Sequence, residues 1–132
     1  ARAAGIRLGV CTTSNPKSVS GVLDLLGAER KSAFEHVLAG DVVSRKKPDP
    51  EIYVLAKQRF GLPGSECIVI EDSQNGLIAA RGAGMPCLIT TSTYTTHENF
   101  DGAVKVVPEL GDPPNAIVTL RELESLAKQK AA

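Results

Sequence analysis

Two adjacent carboxylates, Glu71 and Asp72, stand directly after a short apolar run, Cys67 to Ile70. The run is rich in β-branched residues, which predicts a strand buried on both faces of a parallel sheet. Ligand sites in such sheets lie beyond the carboxyl ends of the strands. A hard cation such as Mg²⁺ prefers carboxylate oxygens and would relieve the repulsion between two neighbouring acids. A simpler role is also open, in which Asp72 or Ser73 caps the following helix.

A cluster of hydroxyl and amide side chains follows another predicted strand and directly precedes Pro16. Because proline favours the first turn of a helix, the cluster would lie at a helix N-terminus. Backbone N–H groups and hydroxyls at such a position bind phosphate, whereas the alternative is an ordinary N-cap from Ser14 or Asn15. The phosphate-binding candidates in this cluster are Thr12, Thr13, Ser14 and Asn15.

The third candidate is Lys47, in a charged stretch from Ser44 to Pro50 that places a cation directly before a predicted helix. Its ordinary interpretation is a solvated charged loop. Taken together, hydroxyls, a lysine beside a proline and a pair of carboxylates follow successive strand–helix units in that order.

The elements that would position these residues alternate along the chain, which predicts an α/β fold with a parallel sheet. Thr119, followed three residues later by Glu122, predicts a capping box for the last helix. We expect strands at 6–11, 37–39, 67–70, 86–90 and 104–107, a short helical connection at 31–36, and helices at about 16–27, 50–60, 75–82 and 119–130.

Composition excludes several classes of function. The sequence has 15 basic residues (lysine and arginine) and 15 acidic ones (aspartate and glutamate), so its net charge is zero. No basic surface for nucleic acid is therefore expected. No apolar run approaches the roughly 18 residues of a membrane span. Three widely spaced cysteines, Cys11, Cys67 and Cys87, are expected to be small buried residues of a soluble protein in a reducing compartment.

The motifs resemble those of the haloacid dehalogenase (HAD) superfamily, and specifically its sugar-phosphate phosphatase and phosphomutase branch. Leu8 to Asn15 is similar to the second signature, Lys47-Pro48-Asp49-Pro50 to the third, and Glu71-Asp72-Ser73-Gln74-Asn75-Gly76 to the fourth. The chain looks closest to the CbbY-like members in the segments Ala39 to Val43, Gly82 to Met85 and Gly111 to Pro114.

The resemblance implies a Rossmann-like three-layer parallel sheet and a role for each matched residue. Thr12 and Lys47 would be catalytic: Thr12 would hydrogen-bond the transferring phosphoryl group, and Lys47 would bind it and neutralise its charge. Glu71 and Asp72 would hold Mg²⁺, directly or through water. The residues that would order the metal-binding loop are Ser73 and Asn75.

The resemblance also exposes a departure, because the family's nucleophile is the first aspartate of an Asp-x-Asp motif on an early strand. No such motif precedes residue 6, and the cap domain that normally follows it is missing too. We therefore expect residues 1–132 to be the C-terminal portion of a single HAD-like core domain. The family's strand order places the nucleophile strand between the strands at 8–11 and 67–70, so a gap is expected there.

The function expected from this resemblance is part of a Mg²⁺-dependent phosphatase that acts on a phosphorylated sugar, with a pentulose bisphosphate as one candidate, through an aspartyl-phosphate. The chain alone is expected to be inactive. A missing N-terminal segment or another chain would complete the sheet. The compartment would be the chloroplast stroma in a plant or alga and the cytoplasm in a bacterium. The alternatives are a non-catalytic interaction module within a larger assembly, and a sugar phosphomutase.

Overall fold

The computed structural model describes residues 1–130 and has the alternating strands and helices of an α/β fold. Short 3₁₀ turns occur at Arg2–Ala4, Gly40–Val42 and Gly64–Glu66. The strands are β1 (Leu8–Thr12), β2 (Phe34–Ala39), β3 (Val69–Glu71), β4 (Cys87–Thr90) and β5 (Lys105–Val107). The helices are α1 (Pro16–Asp24), α2 (Ala28–Lys31), α3 (Glu51–Phe60), α4 (Gln74–Gly82) and α5 (Leu120–Ala127).

All strand pairs are parallel, but the sheet is divided into two pieces. Strand β1 pairs with β2, and β3, β4 and β5 pair in that order. Within the described residues nothing pairs with the second edge of β1 or of β3. A cavity of about 780 Å³ lies there, lined by residues of both strands and of α5. The gap therefore falls where the family's strand order predicts it.

The core forms layers on both faces of the larger sheet piece. Residues of α3 and α4, such as Ile52 and Leu77, pack on one face together with Cys87 and Ile89 of β4. Leu88, which points to the opposite face, packs with Val118 and Leu126. Cys87, Leu88 and Ile89 are fully buried, although their side chains enter two different cores on opposite faces. The sheet therefore lies between two helical layers. This arrangement confirms the three-layer α/β prediction.

Strand β3 departs from the prediction of burial on both faces. Val69 is buried, but the side chain of Ile70 is 43% exposed. Ile70 lines the cavity between β1 and β3, and so it faces open space where a packed neighbour would otherwise lie. Cys67 lies outside the strand, and Cys11 and Cys67 are only half-buried, so the expectation of three buried strand cysteines is correct for Cys87 alone.

The short helical connection predicted at 31–36 is wrong. The helix α2 ends at Lys31, and β2 begins at Phe34. Alternate residues of β2 are half-buried or exposed, which is the pattern of an outer strand with one solvated face. On that solvated face Glu35 forms an ion pair with Arg7, at 2.7 Å between Oε2 and Nε.

The last helix was predicted to extend to residue 130 and to begin with a capping box. It ends at Ala127, and its start has only half of the box: the Thr119 hydroxyl accepts from the Glu122 N–H at 3.2 Å. The Glu122 side chain instead accepts a hydrogen bond from Lys105 on β5, which ties the helix to the sheet. No helix in the described chain has the length and apolar character that a membrane span requires.

Candidate phosphate and metal site

The polar residues of three loops meet in one cavity of about 440 Å³ at the carboxyl ends of β1 and β3. Strand β1 ends at Thr12, strand β3 ends at Glu71, and the loop before α3 carries Lys47. Although β1 and β3 belong to separate pieces of the sheet, both strands end at this cavity, so residues far apart in sequence come together here. The lining residues are Thr12, Thr13, Lys46, Lys47, Glu71, Asp72, Ser73 and Asn75.

Lys47 is held at the base of the cavity by two acceptors. Its ammonium donates to the Cys11 carbonyl at 3.0 Å and to Glu71 Oε1. The side chains of Lys47 and Glu71 are only 13% and 10% exposed, so this is a nearly buried ion pair. A phosphate in the cavity would therefore meet a cation whose position is fixed before binding.

Tyr53 is the second donor to Glu71. Its hydroxyl donates to the same oxygen, Oε1, and its ring centre lies 4.9 Å from the Lys47 ammonium nitrogen. Burial, together with the nearby Glu71 carboxylate, raises the pKa of Tyr53 well above its usual value. The hydroxyl therefore keeps its proton and remains a hydrogen-bond donor.

The two carboxylates predicted to hold Mg²⁺ differ in how open they are. Glu71 is engaged by Lys47 and Tyr53, whereas Asp72 is exposed at the cavity wall. Among residues 1–130 no three histidine, cysteine, aspartate or glutamate side chains gather as a metal-binding group. Mg²⁺ commonly binds through one or two carboxylates together with water and substrate phosphate. The donors present fit such a site, with Asp72 as its open carboxylate.

The loop after β3 is fixed by the start of α4. The Ser73 hydroxyl caps this helix by accepting from the Gly76 N–H at 3.2 Å, and Glu98 accepts from the Gln74 N–H at 2.5 Å. Gly76 lies directly against Glu71, and a Cβ atom added there would be 2.2 Å from the Glu71 carboxylate. A side chain at position 76 would therefore displace the Glu71 carboxylate from its present position. Asn75 lines the cavity beside this loop.

The hydroxyl cluster after β1 is divided between two roles. Thr12 and Thr13 line the cavity, but Ser14 and Asn15, which were predicted to bind phosphate with them, do not. The Asn15 side chain accepts from the Ser18 N–H at 2.9 Å and so caps α1. The Thr12 hydroxyl accepts from the Ser14 N–H at 3.1 Å, which leaves its own proton free to donate to a ligand.

Replacing Asn15 with alanine should separate these two roles. We expect the free energy of unfolding to fall by about 1 kcal/mol, because the cap of α1 is lost. The affinity for inorganic phosphate should stay unchanged, and Asn15→Ser, which restores a capping oxygen, should recover most of the stability. Urea unfolding and calorimetric phosphate titration measure the two effects. Weaker phosphate binding in Asn15→Ala that serine does not restore would place Asn15 in the binding site.

Two residues of this region were missed in the sequence. Lys46 lines the cavity and donates to the Gly40 carbonyl, with Asp41 Oδ1 at 3.3 Å, and nothing in the charged stretch distinguished it from its neighbours. Tyr53 had a usable signal, because it falls next to Ile52 on a helix with a buried face. A buried tyrosine hydroxyl needs a polar partner. The polar residues that could serve are those at the carboxyl ends of the strands.

Burial disfavours the reactive thiolate form of Cys11 and Cys87. Burial raises the pKa of the Cys11 thiol to about 11 and that of Cys87 to about 12. Both thiols therefore stay protonated at neutral pH, and the thiolate is the reactive form.

Comparison with known proteins identifies the family of this chain. The family model described as haloacid dehalogenase-like hydrolase matches residues 1–84, which is more than half of the chain. The chain belongs to the haloacid dehalogenase-like hydrolases. The proteins to which it is similar include several named CbbY or CbbY-like.

A CbbY-like protein of Arabidopsis thaliana is 46% identical over 127 residues, which cover 96% of this chain and 40% of that protein. Protein CbbY of Cupriavidus necator is 40% identical over 111 residues, 83% of this chain and 44% of that protein. A solved CbbY variant of Rhodobacter sphaeroides, in complex with xylulose-1,5-bisphosphate, superposes with a TM-score of 0.79 at 40% identity. That match covers 83% of this chain and 51% of the solved one, so the chain spans about half the length of its relatives.

Proposed function

We propose that this chain is the phosphate- and Mg²⁺-binding part of a phosphatase that acts on a phosphorylated sugar. The observation that carries the proposal is the fixed Lys47 cation, which shares one cavity with Thr12 and the open carboxylate of Asp72. Phosphoryl transfer depends mainly on positioning and on positive charge around the phosphate oxygens. The cavity supplies both, and residues such as Lys46 add further positive charge at its wall.

Each residue has a defined part in this proposal. The Thr12 hydroxyl donates to one oxygen of the transferring phosphoryl group, and Lys47 neutralises charge on that group. Asp72, with Glu71 behind it, holds Mg²⁺ directly or through water, while Ser73 and Asn75 order the loop. A cation held by these residues would supply positive charge that reduces the repulsion between the phosphate and an approaching carboxylate.

The acceptor of the phosphoryl group is proposed to be an aspartate from outside residues 1–132. Its carboxylate oxygen would bond to phosphorus as the bond from phosphorus to the sugar oxygen breaks. The sugar would leave as an alcohol after its oxygen takes up a proton, and an aspartyl-phosphate would remain. Water would then release inorganic phosphate and regenerate the carboxylate. That aspartate would lie on a strand filling the gap between β1 and β3, supplied by an upstream segment or by another chain.

The substrate class follows from the solved relative with xylulose-1,5-bisphosphate, so we propose a pentulose bisphosphate. We propose the chloroplast stroma as the compartment if the source is a plant or alga, and the cytoplasm if it is a bacterium; one similar protein is from the plant Arabidopsis thaliana.

The test is phosphate release by the full-length polypeptide that carries these residues. We expect turnover of xylulose-1,5-bisphosphate in the presence of Mg²⁺ and loss of turnover in excess EDTA. A phosphomutase would instead convert a sugar monophosphate to its isomer without net phosphate release. A non-catalytic interaction module would show no turnover of either kind, and that result would overturn the proposal.

Replacing Gly76 with alanine should lower kcat/KM by about a hundredfold, because a misplacement of about 1 Å caused by a residue outside the chemistry can cost that much. The new methyl group would clash with the Glu71 carboxylate, which accepts hydrogen bonds from Lys47 and Tyr53, and so would displace it. Gly21→Ala is the matched control, since Gly21 lies within α1 with open space around it and alanine favours helix. Equal kinetics for the two variants would contradict this role of Gly76.

A further inference from the structure

Tyr53 lies beneath the candidate site and outside its lining. It sits in the first turn of α3, is 4% exposed and packs in the main hydrophobic core. Its ring is an ordinary core side chain, but its hydroxyl reaches past the core to Glu71. A hydroxyl that extends from the core to a buried ion pair can change how strongly the two charged groups of that pair hold each other.

The hydrogen bonds show how this control would work. Glu71 Oε1 accepts from both the Tyr53 hydroxyl and the Lys47 ammonium. Two donors share the negative charge of one oxygen, so each is held less strongly than it would be alone. The Lys47 ammonium has three N–H groups, of which one goes to Glu71 and one to the Cys11 carbonyl. One N–H therefore remains for a ligand in the cavity.

We propose that Tyr53 is a positioning residue that shares Glu71 with Lys47 and so keeps the Lys47 ammonium directed at the phosphate in the cavity. Without the hydroxyl, Glu71 would have Lys47 as its one strong donor and would draw the ammonium toward itself. The Tyr53 ring, 4.9 Å from the ammonium nitrogen, limits sideways movement of the cation. This inference rests on the proposed function, because it concerns the same phosphate site.

The sharpest variant is Tyr53→Phe, which keeps the ring and its contact with Lys47 and removes only the hydroxyl. The matched control is Tyr94→Phe, because Tyr94 is 86% exposed and lies outside the cavity. Both are made in the full-length polypeptide. The main measurement is calorimetric titration with inorganic phosphate in EDTA, so that the affinity for Mg²⁺ does not enter.

We expect Tyr53→Phe to weaken phosphate binding about tenfold. The hydrogen bond that is lost runs from the Tyr53 hydroxyl to the charged Glu71 carboxylate. The free energy of such a bond corresponds to roughly this factor, and its loss strengthens the competition of Glu71 for Lys47. The Tyr94→Phe control should bind phosphate as the parent protein does. In a Glu71→Gln background Tyr53→Phe should change phosphate affinity much less, because the carboxylate charge that links the two residues is gone. A structural role alone would give additive effects.

The outcomes separate the two proposals. If the parent protein binds phosphate and Tyr53→Phe binds it equally well, the positioning role is wrong whatever the enzyme does. If the phosphate effects appear as expected but no Mg²⁺-dependent turnover is found, the proposed function is wrong and the positioning role stands. If the parent protein does not bind phosphate at all, both are overturned. Additive effects of Tyr53→Phe and Glu71→Gln would also overturn the positioning role.

Discussion

Replacing Lys47 with methionine is expected to lower kcat/KM of the full-length polypeptide by about a thousandfold, the upper range for loss of one preorganised charge donor. Lys47 is the nearly buried cation of the cavity, and it is held at two acceptors before any ligand arrives. Methionine has a similar length and an apolar character, so the change removes the charge with little change in volume. Because the lost interaction forms with the transferring phosphoryl group, we expect kcat to fall more than KM rises.

The same change should also destabilise the fold. Removing one partner of a buried ion pair leaves the other charge uncompensated, at a cost of about 3 kcal/mol. Among residues 1–130, Glu71 would then keep the Tyr53 hydroxyl as its one side-chain donor. Glu71→Gln, which removes the orphaned charge, should recover much of the stability of Lys47→Met without recovering activity.

The chain offers a matched control in Lys105, which pairs with Glu122 on the opposite side of the sheet. Both of those side chains are 33% exposed, so Lys105→Met breaks a lysine–glutamate pair that water partly screens. We expect a loss of no more than about 1 kcal/mol and unchanged kinetics. Urea unfolding and steady-state kinetics measure both variants, and similar kinetics for Lys47→Met and Lys105→Met would contradict the role given to Lys47.

Local signals in the sequence were sufficient for the elements that position the site. Pro16 with its preceding polar residues marks the start of α1, and Ser73 marks the start of α4, as the side-chain caps show. The strand ends at Thr12 and Glu71 follow from apolar runs that stop at polar residues. Parallel topology then places those ends on one side, which is why three distant motifs could be expected in one place.

The use that each polar side chain makes of its neighbours could not be predicted from local signals. The Asn15 side chain caps α1 by accepting from the Ser18 N–H and does not line the cavity. Thr12 and Thr13 do line it. Whether a polar side chain caps a helix or faces a ligand depends on the path of the loop, which no short motif specifies. Glu71 is the clearest case, since its partners Lys47 and Tyr53 lie 24 and 18 residues away.

These partners change what the pair of carboxylates can do. As neighbours in sequence, Glu71 and Asp72 look like equivalent metal ligands. In the folded chain Glu71 orients the cation, and Asp72 is the carboxylate that is open to a metal. One acidic motif therefore links a proposed metal site to a proposed phosphate site, and a change at Glu71 should affect both.

The second large effect is expected from the chain itself: the purified 132 residues should show no Mg²⁺-dependent turnover of a phosphoester. Among the described residues the cavity is lined by two carboxylates, Glu71 and Asp72. The first is engaged by Lys47 and Tyr53 and the second is the proposed metal ligand, so neither is free to accept a phosphoryl group. Measurable turnover by this chain, abolished by EDTA, would contradict the prediction.

The gap between the two sheet pieces provides the rescue experiment. Its walls include Leu8, Val69, Ile70 and Leu123, and the facing backbone edges of β1 and β3 have no strand partner among residues 1–130. We expect a peptide designed as an apolar strand with the family's Asp-x-Asp motif to bind there and to restore turnover, because it would supply both backbone partners and the proposed acceptor carboxylate. The chain contains no tryptophan, so a tryptophan in the peptide reports binding by fluorescence.

Two control peptides distinguish strand pairing from simple apolar contact. Proline in the middle of the peptide removes a backbone donor and is excluded from central strands, so this peptide should bind far more weakly at nearly the same hydrophobicity. Replacing the first aspartate of the peptide with asparagine should leave binding intact and abolish turnover. Binding of the proline peptide as tight as that of the parent would show that the gap is an apolar groove and not the place of a missing strand.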